Sequence, residues 1–136
     1  MDAFDADVLI YAAVPGHDLG RRVLAALQRQ AEPAAAPVAI GSVLLLPELL
    51  SKPIRQGADG EVAALVSILA RLELRPADEA TAALAASLGA EHGLRAADAI
   101  HLATAVHAGA DRFVTNNRRD FGKAIGEIEI AYPDEL

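Results

Sequence analysis

Acidic and amide side chains recur at four separated stations of this chain: Asp5 with Asp7, Glu48, Asp98, and Asn116 and Asn117 with Asp120. Brought to one place, such carboxylates would repel one another unless a cation lay between them. A ligand set made only of oxygen suits Mg²⁺ or Mn²⁺ rather than zinc. Cysteine is absent, which removes thiolate metal sites, disulfides and cysteine nucleophiles together. Glu48 stands out because it interrupts the run of Leu44, Leu45, Leu46, Leu49 and Leu50, where a carboxylate is costly to bury without a partner. Each station also has a plainer reading. Asp5 could cap the helix that follows it, Asp98 could sit in a first helical turn because the helix dipole favours acids there, and Glu48 could be solvated on a helix whose apolar face lies elsewhere. His101, one turn after Asp98, could be a ligand or base, but a lone His in an Ala-rich helix reads first as a packed or hydrogen-bonded residue. His17, His92 and His107 show no metal-ligand spacing. Arg118 and Arg119 could touch a phosphate backbone, although an exposed pair is the commoner meaning of adjacent arginines.

Bringing the stations together is a task for the elements between them. The segment Ala3 to Ala12 starts as a short strand around Ala3, Phe4 and Asp5 and goes on through Val8, Leu9, Ile10 and Tyr11, too continuously apolar for an exposed strand, so it reads as a buried strand running into a helix. From Asp18, read as a helix cap, Leu19, Val23, Leu24 and Leu27 recur at three and four residues and predict an amphipathic helix ending before Pro33. Pro33 to Pro37 is a connection, Val38 to Ile40 a short strand, and Ser42 the cap of a helix over Val43 to Leu50, in which Pro47 marks either a kink or the true start. After a loop at Lys52 to Gly60, Val62, Leu65, Val66 and Leu69 give another helix, Leu72 to Arg75 a strand, and Thr81, Leu84 and Leu88 a third long helix up to Gly93. Arg95 to Ala108 predicts a helix closed by Gly109, Arg112 to Thr115 a strand, Arg118 to Phe121 a short helical turn, and Ile128 to Ala131 the last strand.

Short strands alternating with longer helices predict an α/β fold, a short parallel sheet with helices on both faces, which binds ligands beyond the carboxyl ends of its strands. Asp5 after the first strand, and Thr115, Asn116 and Asn117 after the fourth, fall on that edge. At 136 residues the chain suits one domain. With 53% hydrophobic and 23% charged residues it can bury a core, which excludes a disordered protein. Twelve Lys and Arg against 19 Asp and Glu give a net charge of −7, the wrong sign for holding nucleic acid by a broad basic face, so a nuclease reading must bring its own cations. No signal peptide and no membrane span is visible, which makes the cytoplasm the expected location.

In order along the chain, Phe4-Asp5-Ala6-Asp7-Val8-Leu9-Ile10-Tyr11-Ala12, Ser42 with Glu48 six residues on, Leu94-Arg95-Ala96-Ala97-Asp98-Ala99-Ile100-His101-Leu102-Ala103-Thr104-Ala105, and Phe113-Val114-Thr115-Asn116-Asn117 with Asp120-Phe121 resemble the PIN-domain ribonucleases, and among them the VapC-like toxins of type II toxin-antitoxin pairs. The resemblance implies one PIN-like nuclease domain over residues 1–136 and a Mg²⁺- or Mn²⁺-dependent endoribonuclease. It implies that Asp5, Glu48 and Asp98 hold the metal and position an attacking water, leaving a 3′ hydroxyl and a 5′ phosphate. The fourth family position, often Asp, is Asn117 here, one charge fewer for a second ion; Asp7 stands where the family often has Asn or Ser, and either it or Asp120 could compensate. Thr115 and Asn116 would support the site through hydrogen bonds. The partners implied are RNA, a VapB-like antitoxin and a second copy of the chain.

Two other functions fit parts of the pattern. Asp5-Ala6-Asp7 also resembles the start of haloacid-dehalogenase-like phosphatases, but the only lysines are Lys52 and Lys123 and no adjacent acidic pair follows a central strand. A catalytically degenerate domain that keeps the fold and binds RNA or a partner is the other, which Asn117 makes conceivable. An antitoxin is expected to inhibit by pairing an Arg with Asp5 or Asp98. Leu44, Leu45, Leu49 and Leu50 with Val62, Leu65, Val66 and Leu69 are more apolar than one small core needs, so a groove for an antitoxin helix is expected there, with Leu65 in it.

Overall fold

The computed structural model describes residues 1–29 and 37–136, so most of the connection read at Pro33 to Pro37 lies outside the described residues. Strands β1 (Asp2–Phe4), β2 (Ala39–Ser42), β3 (Leu72–Arg75), β4 (Arg112–Val114) and β5 (Glu129–Ala131) pair in parallel throughout, in the order β3-β2-β1-β4-β5. Helices α1 (Ala6–Ala13), α2 (Asp18–Arg29), α3 (Leu45–Arg55), α4 (Asp59–Leu69), α5 (Glu79–His92) and α6 (Ala96–His107) separate them, and a 3₁₀ turn at Pro133–Glu135 follows β5.

Both faces of this sheet are covered, so Ala3 and Phe4, Ala39 and Ile40, and Phe113 and Val114 are buried whichever face they point to, whereas the edge strand β3 alternates Leu72 and Leu74 with Glu73 and Arg75. Side chains alternate between the two cores. Phe4, Ala39, Val114 and Ala131 pack with α1 to α4, and Ala3, Ile40, Phe113 and Ile130 pack with α5 and α6. Phe4, Leu9, Leu27, Leu45 and Leu65 fill the first core, and Phe113, Phe121 and Leu102 the second. Each such burial is worth about 1.5–3 kcal/mol. α2 crosses α1 at backbone distance, because a Cβ on Gly20 would lie 2.0 Å from the Tyr11 carbonyl oxygen. Any larger residue there would push the two helices apart.

The strand at Leu72–Arg75 and the helices ending at Gly93 and before Gly109 lie where the sequence predicts them. Gly93 closes α5 in the left-handed conformation, φ +67°, that a residue without Cβ adopts at no steric cost. Three local expectations need correction. Asp18 does not cap α2. It pairs with Arg21, and the cap is the His17 ring, whose Nδ1 accepts the Gly20 N–H at 3.1 Å while the ring stacks on Tyr11. Ser42 ends β2, and its hydroxyl accepts the Leu44 N–H in the turn before α3. α3 runs through Lys52 and Pro53 to Arg55 instead of stopping at Leu50. Pro47 lies in its first turn, where a backbone N–H has no intrahelical partner to lose. Pro53 sits in the last turn with its ring buried.

Candidate functional site

The strand order places a topological switch at β1. From β1 the chain winds outward through β2 to β3, then returns to lay β4 and β5 on the other side, so the connections leaving β1 and β4 diverge and open a crevice at their carboxyl ends. Asp5 follows β1 there and Thr115 follows β4. The Asp5 N–H donates to the Val114 carbonyl at 2.9 Å and the Thr115 N–H to that of Ala131 at 3.1 Å, so both residues are anchored as extensions of their strands.

Asp5 is 6% exposed and does cap α1, its Oδ1 accepting the Ala6 N–H at 2.8 Å. Its Oδ2 accepts the hydroxyl of fully buried Thr115 at 2.8 Å, and that hydroxyl oxygen accepts the Asn117 N–H at 3.1 Å. Asp7 bridges the same two segments: Oδ1 accepts the Val8 N–H at 2.7 Å and Oδ2 the Asn116 N–H at 3.0 Å. The Asn116 amide donates to the Tyr11 hydroxyl at 3.2 Å. Asn117 is bonded within its own turn, its amide donating to Asp120 Oδ2 at 2.9 Å and its Oδ1 accepting the Asp120 N–H at 3.2 Å.

α6 carries Asp98 in its first turn, half-buried, with His101 one turn on. α3 carries Glu48, also in a first turn. Its side chain is 35% exposed, so the burial expected from its apolar neighbours does not occur: Leu45 and Leu49, four apart, turn inward while Leu46 and Glu48 face out. Glu48 is nevertheless held, its Oε1 3.1 Å from Nε2 of His101, whose side chain is 1% exposed. The packed reading of His101 is therefore right. The partner 53 residues away was not visible in the sequence.

These groups share one electrostatic field. Burial pushes the Asp5 carboxyl above the usual carboxylate range and Glu48 pushes it further, against the opposing effects of His101, Thr115 and the Ala6 N–H. Asp98 is raised by burial and then by Asp5, Asp120 and Glu48, with His101 opposing. Asp7 is pushed up to about 6 by burial and by Asp5. None of these main influences is a Lys or Arg. Arg118 pairs with Asp134 and lies 4.2 Å over the Tyr132 ring, and exposed Arg119 reaches only to 4.0 Å from Asp120. A crevice of carboxylate and amide oxygens whose negative charges oppose one another suits a hard divalent cation. Asp5, Glu48 and Asp98, from three different elements, are the residues that could hold it.

A tighter group lies elsewhere. Among the described residues, Glu91, His92 and Glu127 bring one ligand atom each within 4.8 Å of one another, which Asp5, Glu48 and Asp98 do not. His92 Nε2 lies 2.9 and 3.0 Å from the two Glu127 oxygens, and this hydrogen bond holds the Glu127 carboxyl below its ordinary range. The absence of metal-ligand spacing around His92 misled here, since its partner is 35 residues away.

The family model for the PIN domain matches residues 3–126. Solved structures with similar folds include a toxin-antitoxin complex from Klebsiella pneumoniae (21% identity, TM-score 0.76, all of both chains covered). They also include VapBC2 from Rickettsia felis bound to a DNA fragment from its promoter (19%, 0.74, 96% of this chain and 97% of that one) and FitAcB from Neisseria gonorrhoeae (24%, 0.69, all of both chains). No curated protein sequence matches the chain. The match over nearly the whole length, on a five-stranded parallel sheet whose acids gather at the switch point, leaves no place for the phosphatase alternative: this chain belongs to the PIN-domain family.

Proposed function

We propose that this chain is a Mg²⁺- or Mn²⁺-dependent endoribonuclease acting as the toxin of a type II toxin-antitoxin pair. The observation that carries the reading is the field at the switch point, where burial raises the proton affinity of Asp5 and Asp98, Glu48 adds to both, Asp5 adds to Asp98, and no Lys or Arg is among the main influences. In this reading Asp5, Glu48 and Asp98 hold the ion and Asn117 completes the catalytic set, with Asp7, Thr115, Asn116 and Asp120 in support. A divalent ion bound there activates water and offsets charge on the scissile phosphate. The chain's own residues do the positioning. Thr115 and the Ala6 N–H fix both Asp5 oxygens, Asp7 ties the Asn116 backbone to α1, and Asn117, neutral and bonded to Asp120, leaves the crevice one charge short for a second ion.

The test is cleavage of a structured RNA by the purified chain. Cutting should require Mg²⁺ or Mn²⁺ and disappear in Asp5→Ala, and expression without a partner should arrest growth while Asp5→Ala is tolerated. Cleavage unchanged in EDTA sinks the metal mechanism, and a chain that folds but binds no metal is the degenerate domain instead.

We further propose the cytoplasm as its location, since no helix among the described residues is long and apolar enough to cross a membrane, with residues 1–136 acting as one nuclease domain that pairs with a second copy. The antitoxin partner is supported by the toxin-antitoxin complexes that share the fold and by an apolar groove of about 230 Å³ lined by Leu46, Leu50, Val66, Leu69, Ala70 and Leu74. Leu65, expected to line it, is core at 1% exposure: α4 turns Leu65, Ile68 and Leu69 inward and presents Val66, 48% exposed, to solvent. Val66→Glu should therefore weaken antitoxin binding and leave metal-dependent cleavage intact. Undiminished affinity in that variant would place the partner elsewhere.

A further inference from the structure

The Glu48–His101 pair joins a solvent-facing acid to a buried imidazole, and the imidazole's surroundings decide what it can do. Nδ1 of His101 is buried without a hydrogen-bond partner. Nε2 faces the Glu48 carboxylate at 3.1 Å. Placing the proton on Nδ1 would bury an unmet N–H and set the Nε2 lone pair against a carboxylate oxygen, two unfavourable contacts at once. Placing it on Nε2 makes a charge-assisted bond and leaves only a lone pair unmet. The packing thus selects the tautomer in which His101 donates to Glu48.

His101 lies one turn after Asp98, so its donor and the Asp98 carboxylate project from neighbouring positions on α6, while Glu48 comes from α3. An exposed Glu in a first turn has free rotation about three bonds, and its position relative to Asp98 is set by nothing in its own helix. The bond to His101 is the tether that sets it.

We propose that His101 is a positioning residue of the metal site: its Nε2–H holds Glu48 Oε1, so that Glu48 presents its other oxygen toward the crevice in register with Asp98. The proposal rests on the metal-site reading above. His101 itself takes no ligand position, because the nitrogen facing the crevice is the one that carries the proton.

The test is Mn²⁺ titration by calorimetry on the intact protein, with no RNA present. His101→Leu removes the donor, and His101→Gln keeps an amide N–H at about the reach of Nε2. His101→Leu should weaken Mn²⁺ binding about 10- to 100-fold, the usual cost of losing a partner that orients a metal ligand. His101→Gln should recover most of that loss. In a Glu48→Gln background, His101→Leu should cost nothing further, because the tether has nothing to hold. Equal weakening in the Leu and Gln variants, undiminished binding in His101→Leu, or a full further loss in the Glu48→Gln background each overturns the proposal while leaving the metal site standing. A wild-type chain that binds no Mn²⁺ overturns the metal-site reading and this proposal with it. If His101→Leu does not fold by circular dichroism, His101→Asn, polar but too short to reach Glu48, takes its place in the same comparison.

Discussion

Two clusters of acids on this molecule solve the same electrostatic problem in opposite ways. At Glu91, His92 and Glu127 the chain supplies its own compensation: the imidazole lies between the Glu127 oxygens, and the Glu127 carboxyl gives up its proton more readily than a free one. At the switch point, Asp5, Asp7 and Asp98 all keep theirs more tightly, and the single imidazole present is spent on Glu48. The tighter geometry therefore belongs to the cluster that needs a cation less. Proximity of ligand atoms describes a group already satisfied, whereas raised proton affinity describes one still short of positive charge.

The comparison can be broken by asking which cluster responds to metal. Saturating Mn²⁺ should raise the wild-type melting temperature by on the order of 10 °C, since about 2.7 kcal/mol accrues at a hundredfold excess over Kd. Asp98→Asn should lose the whole increment and lower cleavage by more than about 100-fold, beyond the cost of disturbing an outer partner. Equal stabilisation of both proteins in a thermal melt would take Asp98 out of the site.

A smaller effect, and one that sharpens the contrast, is the sign of the pH dependence. Asp7 titrates near 6 in the fold against 3.8 for a free side chain, so the folded state binds its proton more tightly. That contribution is complete below about pH 4 and is lost as pH rises through 6. Asp7→Asn should remove this loss, gaining about 1–2 kcal/mol at pH 7.5 without added metal, once partial exposure and one forfeited backbone bond are allowed for. Urea melts between pH 4 and 8 measure it, and an unchanged slope in the variant would contradict the assignment.

Least affected should be Glu127→Gln. Glu127 is lowered rather than raised, so its contribution is present at neutral pH and fades as pH falls. An exposed pair of this kind is worth less than about 1 kcal/mol. The Mn²⁺ increment and RNA cleavage should be untouched. If the increment vanishes here, the ion binds the outer cluster and the two regions have been assigned in reverse.

What the sequence made legible was what depends on near neighbours. Leu72–Arg75 stands out as a strand because Pro76 follows it, α5 and α6 end at glycines, and Asp5 and Thr115 reach the same edge once the strands are taken as parallel. What it concealed depends on distant ones. No spacing couples Glu48 to His101 or His92 to Glu127, because those pairs exist only after helices from different parts of the chain have packed. The inward turn of Leu65 and outward turn of Val66 were hidden for another reason. Four apolar residues on one helix leave its rotation undecided, and the packing of α4 against α1 and α3 decides it. The continuation of α3 past Leu50 was hidden too, because its last turn carries Pro53, which has no backbone N–H to donate and whose ring is held by burial instead.

The central position of β1 has a consequence in time. Of these five strands the earliest to leave the ribosome is the middle one of the finished sheet, with one edge closed by β2 and the other reserved for β4. Thr115, which holds Asp5, is 110 residues further along. At about 5–20 residues per second that interval is roughly 5–20 s, during which the nascent chain carries Asp5 without the strand that completes its surroundings. Asp98 and His101 also emerge before β4 has closed the sheet. The crevice is thus assembled only after β4 has followed them, and a nascent chain that has not reached it has the acids without the geometry to use them.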